Sequence, residues 1–183
     1  MTIGRVLAAL ALAGLVGCTP EPATPQKRAW VQVPIDQVVT SFDEICLASA
    51  PDFVGATDRM ERQGLTEPGL NGAFFLPGGG MSAKVATLPQ SRAVARERCS
   101  VVFNTDNPAQ TQADAEKAVT AALSRRSLVP DGPPADARVG QRSVRIWTLT
   151  IDGRAVRLSL LESLGPRIPA ALLLDVTAST GAA

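Results

Sequence analysis

Asp152-Gly153 is flanked by two runs of alternating character, Val144 to Ile151 and Arg154 to Glu162. Asp-Gly is a favoured two-residue hairpin turn, because both residues accept the positive φ that such a turn requires. A turn this short permits one register. Ile151 then faces Arg154, Leu149 faces Val156, Trp147 faces Leu158 and Arg145 faces Leu160. One surface carries Trp147, Leu149, Val156, Leu158 and Leu160, and the other carries Thr148, Thr150, Arg157 and Ser159 with Ile146 among them. A slip of one residue would move every apolar side chain to the wrong side. A hairpin with one dry surface needs a layer to cover it, which points to an antiparallel sheet with helices on one face.

The rest of the chain supplies that layer and more strands. After Pro34, the residues Ile35, Val38, Val39, Phe42, Ile45 and Cys46 recur at helical spacing and predict a first helix ending near Ser49, ahead of Pro51. Asp36, Gln37, Asp43 and Glu44 fall away from that stripe. A second helix is expected from about Pro51-Asp52, with Phe53, Ala56, Thr57 and Met60 on one face and Gly64 as its C-terminal cap. Residues 65–82 are rich in glycine and proline and read as a loop. Lys84 to Leu88 reads as a strand ended by Pro89, Ser91 to Arg98 as a solvated turn, and Cys99 to Asn104 as the next strand. Asp106-Asn107-Pro108 is a helix start, and the apolar stripe Ala115, Ala118, Val119, Ala122 and Leu123 carries that helix to about Arg126. Residues 127–143 read as a second loop, and Leu172 to Val176 as a last strand beyond Pro166 and Pro169.

The absence of His from the chain removes most hydrolytic chemistry. A Ser-His-Asp triad and a Cys-His pair both need an imidazole, as do the usual mixed zinc sites. The segment Gly78-Gly79-Gly80-Met81-Ser82-Ala83-Lys84 fails the spacing of a phosphate-binding loop. Ser82 and Lys84 are likewise one residue too close for an S-x-x-K pair. No cofactor motif and no metal-ligand set is recognisable, and carboxylate-pair chemistry is the enzymatic route left open. Of the 18 Lys and Arg, Arg5 lies in the first 17 residues, so the chain beyond them balances 17 basic against 17 acidic side chains. A net charge of zero argues against nucleic acid or anionic lipid as the main partner.

The N-terminus bears on location. Arg5 precedes an apolar run from Val6 to Val16 that is too short to span a bilayer and of the length found in export signals. It closes on Leu15-Val16-Gly17-Cys18, which resembles the lipobox of bacterial lipoproteins. The resemblance implies removal of residues 1–17, lipidation of Cys18 and attachment to a membrane of the cell envelope. Thr19, where an inner-membrane retention signal would place Asp, leans towards the outer membrane, facing the periplasm. Three prolines between Cys18 and Ala29 make residues 18–29 an extended tether. Of the three cysteines, lipidation of Cys18 leaves Cys46 and Cys99. Export makes a structural disulfide between them the expectation, with two free buried thiols as the alternative.

The pattern Phe42-x3-Cys46, Ala50-Pro51-Asp52-Phe53 and Gly64 also resembles the opening of a group of small exported bacterial proteins, to which no activity attaches. The expected fold is α+β: two N-terminal helices, then ββ-α-βββ, with a five-stranded antiparallel sheet packed by helices on one face. That order is similar to PAS- and profilin-like domains. Residues 30–178 form the domain and residues 179–183 a frayed tail. The functional expectation is a non-enzymatic interaction module with an envelope protein partner. A small-ligand pocket beside the sheet, under the loop 65–82, is the alternative. For that pocket Lys84, Arg145 and Arg157 are the candidate cations, since arginines on a sheet can grip a carboxylate. A solvated face is their structural alternative.

Overall fold

The computed structural model describes residues 31–69, 71–89, 95–105, 107–164 and 169–177. The lipobox with Cys18, the tether 18–29, the tail 179–183, residues 91–94 of the expected turn with Arg92, and Pro166 lie outside the described residues.

The first and third helices form where their stripes predict. In α1 (Ile35–Ile45), Val38, Val39, Phe42 and Ile45 are buried, and a short 3-10 turn over Leu47–Ser49 follows. The second helix, α2 (Ala56–Arg62), begins later than expected. Phe53 and Gly55 both take positive φ, at 53° and 72°, which holds the chain in a turn until Ala56. It stops at Gly64, whose φ of 76° is the left-handed conformation that glycine accepts without strain. Gly64 N–H donates to the Glu61 carbonyl at 2.9 Å and Leu65 N–H to the Met60 carbonyl at 3.0 Å, closing the helix end. In α3 (Pro108–Arg125), the side chain of Asn107 accepts from Gln110 N–H at the first turn. Its buried stripe is Ala115, Val119, Ala122 and Leu123.

Asp43 departs from the amphipathic reading of α1. It is 6% exposed, because α3 packs alongside and its last-turn arginines reach over. Arg125 lies 3.2 Å from one carboxylate oxygen and Arg126 grips the other.

The sheet has eight strands where five were expected: β1 (Thr66–Pro68), β2 (Phe74–Phe75), β3 (Met81–Pro89), β4 (Ala95–Phe103), β5 (Ala135–Val139), β6 (Arg142–Ile151), β7 (Arg154–Leu161) and β8 (Ala170–Thr177). Their spatial order is β1-β2-β3-β4-β8-β7-β6-β5, antiparallel throughout. The five expected strands are β3, β4, β6, β7 and β8. The other three fall in the segments read as loops. β1 and β2 are too short to show a period, and Ala135-Asp136-Ala137-Arg138-Val139 holds only one β-branched residue. β2 and β5 pair with the longer strands β3 and β6, and β1 in turn pairs with β2. The expected solvated turn up to Arg98 is likewise shorter, since β4 already begins at Ala95.

The hairpin of β6 and β7 has the register its turn dictates: Ile151 opposite Arg154, Leu149 opposite Val156, Trp147 opposite Leu158 and Arg145 opposite Leu160. Asp152 and Gly153 carry φ of 49° and 76°. One face of the sheet is the core. Cys99, Val101 and Phe103 of β4, Leu172, Leu174 and Val176 of β8, and Trp147 and Leu158 of the hairpin join one cluster with the helix stripes. A Cys46–Cys99 disulfide, Cα to Cα 5.5 Å, ties the end of α1 to β4 across that core.

Candidate interaction face

The strands alternate, so the residues between the core positions form the opposite face. No helix of the described residues joins the core cluster on that side. Cross-strand registers set its rows. Ala86, Arg98, Asp175, Arg157 and Thr148 lie side by side across β3, β4, β8, β7 and β6. The next row is Lys84, Ser100, Leu173, Ser159 and Ile146, and the one beyond it Ser82, Val102, Ala171, Leu161 and Val144. The face therefore grades from a charged band to an apolar one.

Asp175 anchors the charged band. In β8, Leu172, Leu174 and Val176 turn to the core, so Asp175 and Leu173 must turn away. Arg98 meets Asp175 with Nε to Oδ1 at 2.7 Å and Nη2 to Oδ2 at 3.0 Å. Arg96 adds Nη1 to Oδ2 at 3.3 Å. Planar guanidinium and carboxylate groups match in this two-bond arrangement. The two arginines cover the carboxylate, leaving Asp175 only 5% exposed on a face without a helix. Arg157 sits directly across from Asp175 on the other side, exposed, and forms no ion pair among the described residues.

The three cations singled out in the sequence do not come together. Lys84 and Arg157 share the open face on strands separated by β4 and β8. Arg145 is on the core side, opposite Leu160, and its guanidinium is engaged by Glu116 of α3 at 2.9 Å and Asp136 of β5 at 2.8 Å. Hydrogen bonding to Asp136 and then to Glu116 raises its pKa above the ordinary arginine value. Arg145 is thus an ion-paired strut under α3, with no free fork for a ligand. Arg142 shows the reverse shift: desolvation lowers its pKa against the opposing pull of Glu162. Its Nε and Nη2 donate to the carbonyls of Glu162 and Pro169 at 2.9 and 2.8 Å, which ties the end of β7 to the start of β8.

A separate open hollow of about 390 Å³ lies at the glycine-rich segment, lined by Thr66, Pro68, Gly69, Phe75, Leu76, Pro77, Gly78 and Gly79. None of Lys84, Arg145 and Arg157 lines it. Gly80, beside it, has φ of 87°, and a Cβ there would come 2.1 Å from the Val31 carbonyl oxygen. That glycine lets the N-terminal segment pass against the loop.

Asp175 and its partners were missed in the sequence for a specific reason. With Leu172, Leu174 and Val176 on one side of a strand, Asp175 falls on the other. Its partners Arg96 and Arg98, however, fall in sequence within the segment Ser91 to Arg98 that reads as a turn. Among the described residues no group of three or more His, Cys, Asp or Glu side chains could hold a metal ion. No helix of the described residues is long and apolar enough to cross a membrane. No protein-family model matches the chain, and neither does any curated protein or solved structure.

Proposed function

We propose that the chain is an exported, lipid-anchored, non-enzymatic interaction module, held in the bacterial cell envelope through Cys18 and meeting an envelope protein with the open face of its sheet. The observation that carries the reading is that face. Leu173, Ile146, Leu161 and Val102 are half-buried there beside the Arg96–Asp175–Arg98 cluster, with no helix of the described residues over them. Apolar area flanked by arginines is the composition of a protein-binding surface. Arg157 and Lys84 add charge that favours an acidic partner. The lipobox-like Leu15-Val16-Gly17-Cys18 supports attachment, and Thr19 supports the outer membrane.

Cross-linking in cells followed by purification tests the contact. Wild-type chain is expected to capture a defined envelope protein, and Arg157→Glu and Leu173→Glu to lose it while melting at a temperature near wild type. Unchanged capture by both variants overturns the reading. For the anchor, intact-mass analysis of protein extracted from membranes is expected to show an acylated N-terminus at Cys18. An unmodified cysteine, or an N-terminus elsewhere, rejects lipidation.

A second reading is carried by the hollow at Thr66, Phe75 and Leu76. Among the described side chains that line it none is charged, which favours a small, uncharged ligand. A thermal-shift screen with such compounds tests this. A shift that disappears in Phe75→Ala supports it, and a flat screen rejects it.

A further inference from the structure

We propose that β5 pairs with β5 of a second copy of this chain, antiparallel and centred on Ala137, so that one sheet runs through a two-fold dimer. The proposal concerns a different surface from the open face and does not depend on it.

β5 is an edge strand, and no strand of the described residues pairs with its outer side. The hairpin geometry shows which of its groups are free. Gly140, with φ of 62°, and Gln141 form a two-residue turn between Val139 and Arg142. The closing pair of such a turn exchanges both hydrogen bonds, and bonded and non-bonded pairs alternate from there. Val139, Ala137 and Ala135 therefore direct their backbone groups to β6. The Ser143 carbonyl accepts from Glu162 N–H of β7 at 3.0 Å, so the Arg138–Ser143 pair is a non-bonded one. The N–H and C=O groups of Asp136 and Arg138 are left pointing outward along the edge.

Those same two residues carry the charges. With Ala137 on the two-fold axis, Asp136 lies opposite Arg138 of the second copy and Arg138 opposite its Asp136. These are the two pairs whose backbone groups face each other, so the register that joins the hydrogen bonds also joins opposite charges. Centring on Asp136 or on Arg138 would set like charges face to face, which disfavours pairing. Arg138 is exposed and forms no ion pair among the described residues. Asp136 keeps Arg145 on its other side at 2.8 Å. Charged residues commonly protect an edge strand from association. An alternating Asp-x-Arg does not protect against an antiparallel copy of itself. On the open face, Val139, 57% exposed, would meet Ala135 of the second copy. An isologous contact of this kind closes at two subunits.

Cysteine cross-linking of the full chain, purified in detergent and treated with diamide, tests the register. Ala137→Cys puts two thiols across the axis at a non-bonded pair, where the Cα atoms lie about 4.5 Å apart, close enough for a disulfide. A linked dimer is expected from Ala137→Cys. It is also expected from a mixture of Ala135→Cys with Val139→Cys chains, but from neither of those alone. Adding Arg138→Glu, which sets Glu opposite Asp136, is expected to abolish linking by Ala137→Cys. Mixing that chain with one carrying Ala137→Cys and Asp136→Arg is expected to restore it. Circular dichroism of each variant checks that it is folded. Absence of linking at Ala137→Cys, equal linking at Ala135→Cys alone, or linking indifferent to Arg138→Glu overturns the proposal. None of these outcomes bears on capture of a partner by the open face.

Discussion

Arg98 and Asp175 face each other across β4 and β8 and are joined by two parallel hydrogen bonds of 2.7 and 3.0 Å. The carboxylate is nearly buried, whereas the arginine side chain keeps 30% of its surface in water. Removing the acid takes from Arg98 its two-bond partner on a partly dry face. Breaking a fully buried pair costs about 3–5 kcal/mol, and exposure of the arginines reduces this to about 1–2 kcal/mol. Asp175→Ala is expected to destabilise by that amount in urea unfolding, and Arg96→Ala by less, since Arg98 still satisfies both oxygens. Equal losses in the two variants would show that the carboxylate does not act as the centre of the cluster.

The bridge between Cys46 and Cys99 closes a loop of sequence separation 53. Constraining the unfolded chain over a loop of this length contributes about 4 kcal/mol in the chain-entropy model. Cys46→Ser is expected to lower stability by about 2–4 kcal/mol and to loosen α1 from the sheet first. Thiol labelling of the unfolded, unreduced protein is expected to find neither cysteine reactive. Two labelled thiols would refute the bridge.

Trp147 is 2% exposed and Thr148, its neighbour in β6, is exposed on the other face. Trp147→Ala is expected to cost about 3–5 kcal/mol through the cavity it leaves. Thr148→Ala is expected to cost well under about 1 kcal/mol, as at most surface positions. Thermal or urea unfolding of the two single variants measures the contrast, and similar small losses would contradict the register.

Asn104, just past the end of β4, is 5% exposed, and both polar atoms of its amide are without a hydrogen-bond partner among the described residues. A buried polar group left unpaired costs about 1–3 kcal/mol. Its backbone N–H already donates to the Gly80 carbonyl at 3.0 Å, a bond any side chain preserves. Asn104→Leu, similar in volume, is expected to raise stability by about 1 kcal/mol, since it removes the unpaired amide while filling the site. A loss of stability measured by urea unfolding would show that the amide does bond, through water.

The parts of this fold that were legible in the sequence are those set within a few residues of chain. Asp152-Gly153 dictated its own register because a two-residue turn admits one. The stripes of α1 and α3 follow from helical spacing alone, and Gly64 ends α2 because its neighbours need a left-handed cap. The disulfide was legible for a different reason: after Cys18, two cysteines leave a single intramolecular pairing. What only the tertiary structure decided depends on partners far apart in sequence. β5 and β2 are strands because β6 and β3 supply backbone groups to them, and β1 because β2 does in turn, not because of their own side chains. β8 enters the sheet between β4 and β7, and that insertion brings Asp175 to Arg96 and Arg98, residues 79 and 77 positions away. Arg145, alike in sequence to Arg157, is separated from it by the pleat, which sends one under α3 and the other to the open face. Asp43 is buried only because α3 folds its last turn against α1. Local geometry speaks through spacing, whereas a charge in a sheet takes its meaning from whichever strand comes to lie beside it.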